Sequence, residues 1–160
     1  MKIVSITGHK HSKKYELAYD LCRNSEVEFI KPYTDRELSV YDIKDEDCCI
    51  YVSKNTLDIM LENYPVLSMT RINGARYVFF KCQCTASYNV MILDDYALVQ
   101  TRDNWNDELY TIKLYSKENT QSDRVGVYLY DHEFDEVFHY GEDSIDDLEV
   151  RLYESELCGS

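Results

Sequence analysis

The first thirty residues contain the arrangement that most constrains the fold: a buried strand, a short polar loop and a helix. Residues 2–7 (KIVSIT) form a β-branched run that ends at Gly8, which predicts a buried first strand. Residues 13–23 follow, with apolar side chains spaced as on one face of a helix. A second strand is predicted at 27–30, before Pro32. This order predicts an α/β domain with a parallel sheet.

The loop between the first strand and the first helix has the outline of a phosphate-binding loop. Residues 8–15 read GHKHSKKY, whereas the P-loop pattern is G-x-x-x-x-G-K-[ST]. Gly8 and Lys14 match the first glycine and the lysine that reaches the outer phosphates. Lys13 replaces the second glycine, where a side chain opposes positive φ, and Tyr15 replaces the small hydroxyl that holds magnesium. The loop predicts phosphate binding through Gly8, Lys13 and Lys14; the alternative for Lys14 is a solvated lysine at a helix start.

The rest of the chain continues the alternation of strands and helices. Further strands are predicted at 49–52, 66–70, 76–81, 90–93, 109–114 and 137–140. Ser53 and Ser144 are placed to cap helices over 54–64 and 144–155. The dipeptide Asn73-Gly74 predicts a hairpin between two of the strands. Because there is no Gly/Ser-rich linker and no internal repeat, residues 1–160 are expected to form a single domain.

The charge balance argues against nucleic acid and anionic membranes as partners. The chain has 17 basic and 30 acidic residues, for a net charge of −13, and residues 131–160 hold 11 acidic side chains against Arg151 alone. Such a surface repels phosphate backbones. It is interpreted as a solvated face, with a docking surface for a protein partner as the alternative. No run of about 18 apolar residues predicts a membrane span, and the short apolar N-terminus is no signal peptide, so the expected location is the cytoplasm.

The cysteines do not predict a disulfide framework or a metal site. The six residues are Cys22, Cys48, Cys49, Cys82, Cys84 and Cys158. Their spacing gives one C-x-C and one adjacent pair, without the paired knuckles that structural zinc requires. They are expected to be reduced thiols, mostly packed as small apolar residues, and no metal ligands are assigned.

Further segments carry patterns that recur together in one family. Residues 33–36 (YTDR) occupy the place of a Thr/Arg-rich stretch, and residues 49–53 (CIYVS) that of a Tyr-x-Phe-Val-Ser strand. Residues 74–78 (GARYV) loosely match a Gly-x-Tyr-Tyr-Gly turn, and residues 93–95 (LDD) a strand ending in Leu-Asp. The strand at 137–140 and the terminal helix complete the order. Over nearly its full length the chain resembles the guanylate kinase family of P-loop nucleoside monophosphate kinases.

The resemblance implies a fold and an activity. The implied fold is a P-loop-like central parallel sheet flanked by helices, in which residues 33–81 form a small acceptor-binding subdomain and residues 116–134 a shortened lid. The implied activity is the transfer of the γ-phosphoryl group of ATP, with Mg²⁺, to a nucleoside or deoxynucleoside monophosphate. Such a reaction depends on positioning and charge neutralisation.

The resemblance also implies roles for particular residues. Lys14 and Arg124 would be catalytic, with Arg124 closing over the transferring group. Arg36 and Tyr77 would hold the acceptor, and Asp94 would orient the acceptor or magnesium. From the residues alone, a structural role stays open for four of these residues. Arg36 could be an ion-paired surface residue, Tyr77 a packed strand aromatic, Asp94 a helix cap and Arg124 a solvent-exposed side chain.

Several family positions differ in this sequence. Arg36 stands without the second arginine of the family's acceptor-phosphate pair, Cys49 replaces a phosphate-contacting tyrosine, and Ser68 lies near the position of the glutamate that reads guanine. These departures favour an alternative function: a catalytically inactive kinase-fold protein that needs no cofactor and whose acidic surface engages or inhibits a protein partner. A small acidic chain with altered kinase motifs also suggests a bacteriophage or other mobile-element origin.

Overall fold

The computed structural model of the chain describes residues 1–9, 12–38, 48–117 and 129–158, with side chains of the last helix described as far as Tyr153. Strands and helices alternate along much of these ranges. In chain order the elements are β1 (Lys2–Gly8), α1 (Lys14–Leu21), β2 (Val27–Phe29), β3 (Tyr33–Thr34), β4 (Ile50–Tyr51), α2 (Lys54–Asn63), β5 (Val66–Ile72), β6 (Ala75–Phe80), β7 (Tyr88–Ile92), α3 (Asp95–Asn104), β8 (Leu109–Ser116), β9 (Glu136–Tyr140) and α4 (Ile145–Cys158).

The first sheet has five strands in the order β2-β7-β1-β8-β9, and all of its neighbouring strands are parallel. The central strand is β1, in which Val4 lies opposite Val90 on one side and Tyr110 on the other. All residues of β1 from Lys2 to Thr7 are buried. Strands buried on both faces are rich in β-branched apolar residues, and β1 has Ile3, Val4 and Ile6. The predicted α/β class, the central first strand and the helix that follows it are confirmed.

The side chains of β1 pack alternately into two separate hydrophobic cores. Val4 and Ile6 point to the face covered by α1 and α4, where Leu17 and Leu148 are fully buried. Ile3 points to the opposite face, where it joins a cluster with α3, β5 and β6. This alternation follows from the two-residue period of a strand. The second sheet therefore packs, together with α3, against this second face of the first sheet.

The second sheet has the order β4-β3-β6-β5 and is mostly antiparallel. Its β5–β6 hairpin turns at Asn73 and Gly74, whose φ angles are 51° and 82°. Two successive left-handed residues give the turn whose twist matches that of the flanking strands, and Asn-Gly is the favoured pair there. The predicted hairpin is confirmed, as is the cap at Ser53, whose hydroxyl accepts from the Thr56 N–H at 3.1 Å.

The remaining differences concern extents, one missed helix and the two-residue strand β3, which the sequence patterns do not predict. The strand predicted at 49–52 is only Ile50–Tyr51, and the helix predicted at 13–23 is Lys14–Leu21. The sequence patterns do not predict α3, because its apolar side chains are few and interspersed with polar ones that face the second sheet. Its first turn is capped by Asp94, whose carboxylate accepts from the Ala97 N–H at 2.8 Å.

The C-terminal helix α4 buries leucines on one side and exposes carboxylates in its first turn. Leu148 and Leu152 are buried against the first sheet, whereas Asp146 and Asp147 in the first turn are exposed. Ser144 caps the helix as predicted by accepting from the Asp147 N–H at 3.2 Å. Across the described ranges, no helix is both long and apolar enough to cross a membrane.

Candidate functional site

The loop between β1 and α1 is tightly closed around Gly8. A Cβ atom at this position would lie 2.5 Å from Ser12 Oγ, closer than real contacts allow, and 3.0 Å from the Leu114 carbonyl oxygen, which is a tight contact. The Ser12 N–H donates to the His9 carbonyl at 3.1 Å, which closes the turn. Gly8 is therefore required by the close approach of the chain to itself.

Lys13 adopts the left-handed conformation, with φ 70° and ψ 29°, at the N-cap of α1. This is the position at which the P-loop pattern has its second glycine. The loop adopts positive φ here although a lysine side chain opposes it, at a cost of about 1–2 kcal/mol for a residue with a Cβ. The backbone of the loop thus has the left-handed residue that the pattern requires.

Lys14 begins α1 and brings a partly buried ammonium group into the cleft. Burial lowers the pKa of this lysine, and the negative charge of Asp94 opposes that effect. Among the described residues, no carboxylate lies within the 4.0 Å of an ion pair with it. Near the loop, the hydroxyls of Thr7 and Ser12 are buried and have no hydrogen-bond partner in the described part of the chain. This combination of donors suits an anion.

Lys14 and Asp94 line two adjoining cavities between the first sheet and the second. The larger, of about 670 Å³, lies between the β1–α1 loop, the end of β7, α3 and β5. The smaller, of about 230 Å³, extends toward β2 and β6. Thr70, Ile72 and Ile92 also belong to both. The carboxyl ends of parallel strands are where open α/β sheets bind ligands, and the cleft lies there.

The predicted site residues are distributed between this cleft and other places. Gly8 lines the larger cavity and Tyr77 the smaller one, while Lys14 and Asp94 line both. Asp94 also has the capping role that was left open for it. Lys13 contributes its backbone conformation at the edge of the loop.

Arg36 lies in a third cavity, apart from Lys14. Its guanidinium donates to the Tyr51 hydroxyl at 2.6 Å and lies over the Tyr51 ring, 5.5 Å from the ring centre. This cavity, of about 530 Å³, is bounded by residues 35–38 and 51–54. Arg124 and most of the predicted lid at 116–134 lie outside the described residues.

Tyr15, at the sequence position of the P-loop Ser/Thr, packs its ring against β2. Its ring packs edge-on against Phe29, with 6.3 Å between ring centres, and lines the smaller cavity. The Tyr15 ring thus forms part of the wall of the smaller cavity. That Tyr15 cannot replace the small hydroxyl stays a prediction.

Sequence reasoning missed the polar contacts that hold the second sheet in place. The Asp35 carboxylate accepts from the Arg76 N–H and from its Nε, each at 2.8 Å, and Asp58 accepts from Nη1 at 2.7 Å. Burial alone raises the pKa of Asp35, but the hydrogen bonds and charge of Arg76 outweigh it and hold the pKa below its usual range. The pair is separated by 41 residues, so no local pattern could reveal it.

A second set of contacts joins α3 to the outer edge of β5. The Gln100 amide accepts from the Met69 N–H at 2.8 Å and donates to the Met69 carbonyl at 2.9 Å. Asn104 donates to the Leu67 carbonyl at 3.0 Å. These bonds fix the wall of the larger cavity opposite the Gly8 loop.

Comparison with known proteins identifies the fold. No family model and no curated protein matches the sequence. Among solved structures, the guanylate kinase from Anaplasma phagocytophilum is similar over 98% of this chain and 85% of its own, with a TM-score of 0.65 and 11% sequence identity. Similarity at so low an identity shows the architecture alone. The chain therefore has a guanylate kinase-like α/β fold.

Proposed function

We propose that the chain is a nucleotide-binding protein built on the nucleoside monophosphate kinase fold, with a phosphate held by the loop of residues 8–14. The observation that carries the proposal is Lys14: a partly buried ammonium, without an ion-pair partner among the described residues, at the junction of two cavities. Desolvating a charge is costly unless a counter-charge arrives. A phosphate group supplies that counter-charge.

The loop fits phosphates but not the family's magnesium site. Gly8 allows the backbone to approach closely, and Thr7 carries a hydroxyl without a partner in the described residues and lines the larger cavity together with Lys14. The hydroxyl that would hold Mg²⁺ is absent at Tyr15, whose ring is packed against Phe29. The donor set thus suits the phosphates of ATP or of a monophosphate and lacks a direct magnesium ligand at this position, which favours binding over turnover.

The second sheet is proposed to hold the rest of the nucleotide. In this proposal residues 33–81 act as the acceptor-binding subdomain, Tyr77 lines the acceptor cavity and Asp94 balances the charge of Lys14. Arg36 and Arg124 keep their assigned roles as predictions, as does the lid at 116–134. The acidic C-terminal surface likewise stays a predicted surface for a protein partner.

Phosphoryl transfer is the second candidate function, and one observation favours it. The two cavities meet at Lys14 and Asp94. Two phosphate-bearing ligands, one in each cavity, would bring their phosphates to the same ammonium. Positioning of this kind supplies much of the catalysis in phosphoryl transfer.

Titration calorimetry with ATP and with the monophosphates, each with and without Mg²⁺, tests the proposal. We expect binding that does not require Mg²⁺, and Lys14→Ala should weaken it by about 10-fold or more, because a hydrogen bond to a charged group contributes about 1.5–3 kcal/mol. The matched control is Arg23→Ala, which removes an exposed positive charge outside the cavities. The absence of nucleotide binding by the wild type at millimolar concentrations would overturn the proposal.

The same samples decide between binding and transfer. Incubation of the wild type with ATP, Mg²⁺ and each monophosphate, followed by chromatography of the nucleotides, should show no diphosphate product if the chain only binds. Product that depends on Mg²⁺ and disappears in Lys14→Ala, but not in Arg23→Ala, would establish the second candidate.

A further inference from the structure

Thr7, which precedes Gly8 in β1, has a buried hydroxyl without a hydrogen-bond partner. The residue is 1% exposed, and no described residue bonds its Oγ1. Thr7 shares one face of β1 with Ile3, because successive side chains of a strand alternate. Ile3 packs with residues of α3 and of the second sheet, so this face looks toward the cleft. The larger cavity lies on that side, and Thr7 lines it. The hydroxyl is therefore available to a ligand in this cavity.

Ser5 shows what the cavity adds. It lies on the same face of β1, is 0% exposed, and its Oγ also has no hydrogen-bond partner in the described part of the chain. Ser5 does not line either cavity of the cleft. Both hydroxyls lose their bonds to water when the chain folds. Only the hydroxyl of Thr7 can regain a hydrogen bond from a ligand bound in the cleft.

Two further donors line the same cavity. The Nδ1 atom of His9 is buried and has no hydrogen-bond partner among the described residues, and Lys14 brings its ammonium group. A hydroxyl and an ammonium donate hydrogen bonds, and an imidazole nitrogen does so when it carries the proton. Lys14 also lines the smaller cavity, whereas Thr7 and His9 do not. The donors thus continue from Lys14 into the larger cavity.

The other polar residues of the larger cavity are engaged, exposed or on the opposite wall. The Gln100 amide is bonded to the β5 backbone, and one Asp94 oxygen accepts from an N–H of α3. Arg71 and Tyr96 are exposed, so water reaches them. Thr70 lies on β5 and lines both cavities. Its hydroxyl is the competing partner for a ligand, and it has to be tested beside Thr7.

We propose that Thr7 contacts the phosphates of the bound nucleotide by donating its hydroxyl to a phosphate oxygen in the larger cavity; this rests on the proposed nucleotide binding. A single phosphate at Lys14 leaves Thr7 and His9 without a ligand atom. A pyrophosphate group extends from Lys14 into the larger cavity, where its second phosphate meets both. Thr7 therefore makes the site prefer a pyrophosphate group, free or in a nucleotide, to a single phosphate.

The test is calorimetric titration of inorganic pyrophosphate, ATP and AMP, each with and without Mg²⁺, into the wild type and two variants. Thr7→Val keeps the shape of the side chain but lacks the hydroxyl. It should weaken pyrophosphate and ATP binding by about 10-fold, the size of one hydrogen bond to a charged group, and AMP binding much less. Thr7→Ser restores the hydroxyl and should bind ATP nearly as tightly as the wild type. The loss in Thr7→Val should be the same with and without Mg²⁺.

Ser5→Ala is the matched control, since it removes a buried hydroxyl from the same face of β1 outside the cavities. It should leave all three affinities unchanged. Thermal unfolding of the ligand-free proteins separates binding from a structural role. Ser5→Ala and Thr7→Val should both raise the unfolding midpoint, because each removes a buried hydroxyl that has no partner. A lowered midpoint of Thr7→Val with unchanged ATP affinity would show that the hydroxyl is structural and would overturn the proposal.

Three other results would also overturn it. If the wild type binds ATP and Thr7→Val binds it equally well, the role of Thr7 is wrong and nucleotide binding stands. If Thr70→Val weakens pyrophosphate binding and Thr7→Val does not, the phosphates lie on the β5 wall. If Thr7→Val acts only in the presence of Mg²⁺, the hydroxyl holds the metal ion and not the phosphate. If no ligand binds to the wild type, both proposals fail.

Discussion

The two sheets of the molecule are held in place by different forces. The first sheet lies between two apolar layers, and its central strand is buried along almost its whole length. The second sheet contributes Leu67 and Phe79 to one of these layers and has a smaller buried cluster of its own. Side-chain polar bonds from Asp35 and Gln100 hold it as well. Apolar burial responds little to pH, whereas ion pairs and hydrogen bonds fail when one partner is lost. The cleft lies between the two sheets, so its shape depends on the polar contacts that hold the second sheet.

The largest expected effect is on the first sheet. Phe138 in β9 is fully buried in the cluster beneath α1 and α4. Phe138→Ala should lower the free energy of unfolding by about 4 kcal/mol, because it removes a large buried side chain and leaves a cavity. Urea denaturation measures this, with the exposed Ile59→Ala on α2 as the control that should change little. A loss below about 1 kcal/mol would contradict apolar burial as the main force here.

Removal of the Asp35 carboxylate should destabilise the second sheet specifically. Asp35→Ala leaves the Arg76 guanidinium, of which 15% is exposed, without its buried partner, and should cost about 3 kcal/mol. Asp58→Ala removes the exposed partner of the same arginine and should cost less than about 1 kcal/mol. Hydrogen exchange at β6 amides reports the loss. Equal losses of unfolding free energy in the two variants would contradict the larger contribution assigned to the buried partner.

Acid should open the second sheet before the first. Because the pKa of Asp35 is lowered in the folded state, its contribution to stability is complete above the ordinary carboxyl value of 3.8 and is lost as the pH falls through the lowered pKa. Hydrogen exchange measured at decreasing pH should therefore show β3 and β6 losing protection while β1 retains it. Asp35→Asn should abolish this difference in acid sensitivity. Simultaneous loss in both sheets of the wild type would contradict it.

A smaller effect is expected at the contact between α3 and β5. Gln100→Ala leaves the Met69 N–H and carbonyl without their side-chain partner, which should cost about 2 kcal/mol for two hydrogen bonds. Gln100→Glu is the matched control, since a carboxylate still accepts from the Met69 N–H but cannot donate to its carbonyl. Exchange of the Met69 amide should be fast in the first variant and slower in the second. Unchanged exchange in both would show that α3 does not hold this edge.

The smallest effect is expected in the β1–α1 loop, where the left-handed backbone conformation of Lys13 costs free energy. Lys13→Gly should stabilise the protein by about 1 kcal/mol, because glycine adopts the left-handed conformation without a Cβ penalty. Lys13→Ala keeps the Cβ and should bring no such gain. Thermal unfolding of the three proteins measures the difference. If Lys13→Gly is less stable than the wild type, the penalty assigned to this backbone is wrong.

Sequence predicted what depends on local patterns and missed what depends on distant contacts. The β1–loop–α1 unit, the Asn73-Gly74 hairpin and the Ser53 cap follow from residues next to one another, and the structure confirms them. The α3 helix escaped prediction because its amides bind a strand edge that is assembled only in the folded chain. The sequence gives the intrinsic preference of Lys13 against positive φ, but the conformation that it adopts is decided by the folded loop.

The same limit applies to the candidate site. The sequence placed Lys14 and Asp94 at the ends of β1 and β7, and the structure brings both to one cleft because parallel strands end at one edge. It gave Ser68 only as a changed family position, since the burial of a serine in a short strand has no sequence signal. Its lack of a partner is a property of the packed cleft.

The amides of Gln100 and Asn104 also bear on how copies of this chain behave at high concentration. β5 is a seven-residue strand at the end of its sheet, and such an edge can pair with a strand from another molecule. Here the outward backbone groups of Leu67 and Met69 are already bonded to α3. An incoming strand would have to displace these amides before it could pair. The helix thus protects the second sheet against intermolecular strand addition and the aggregation that follows from it.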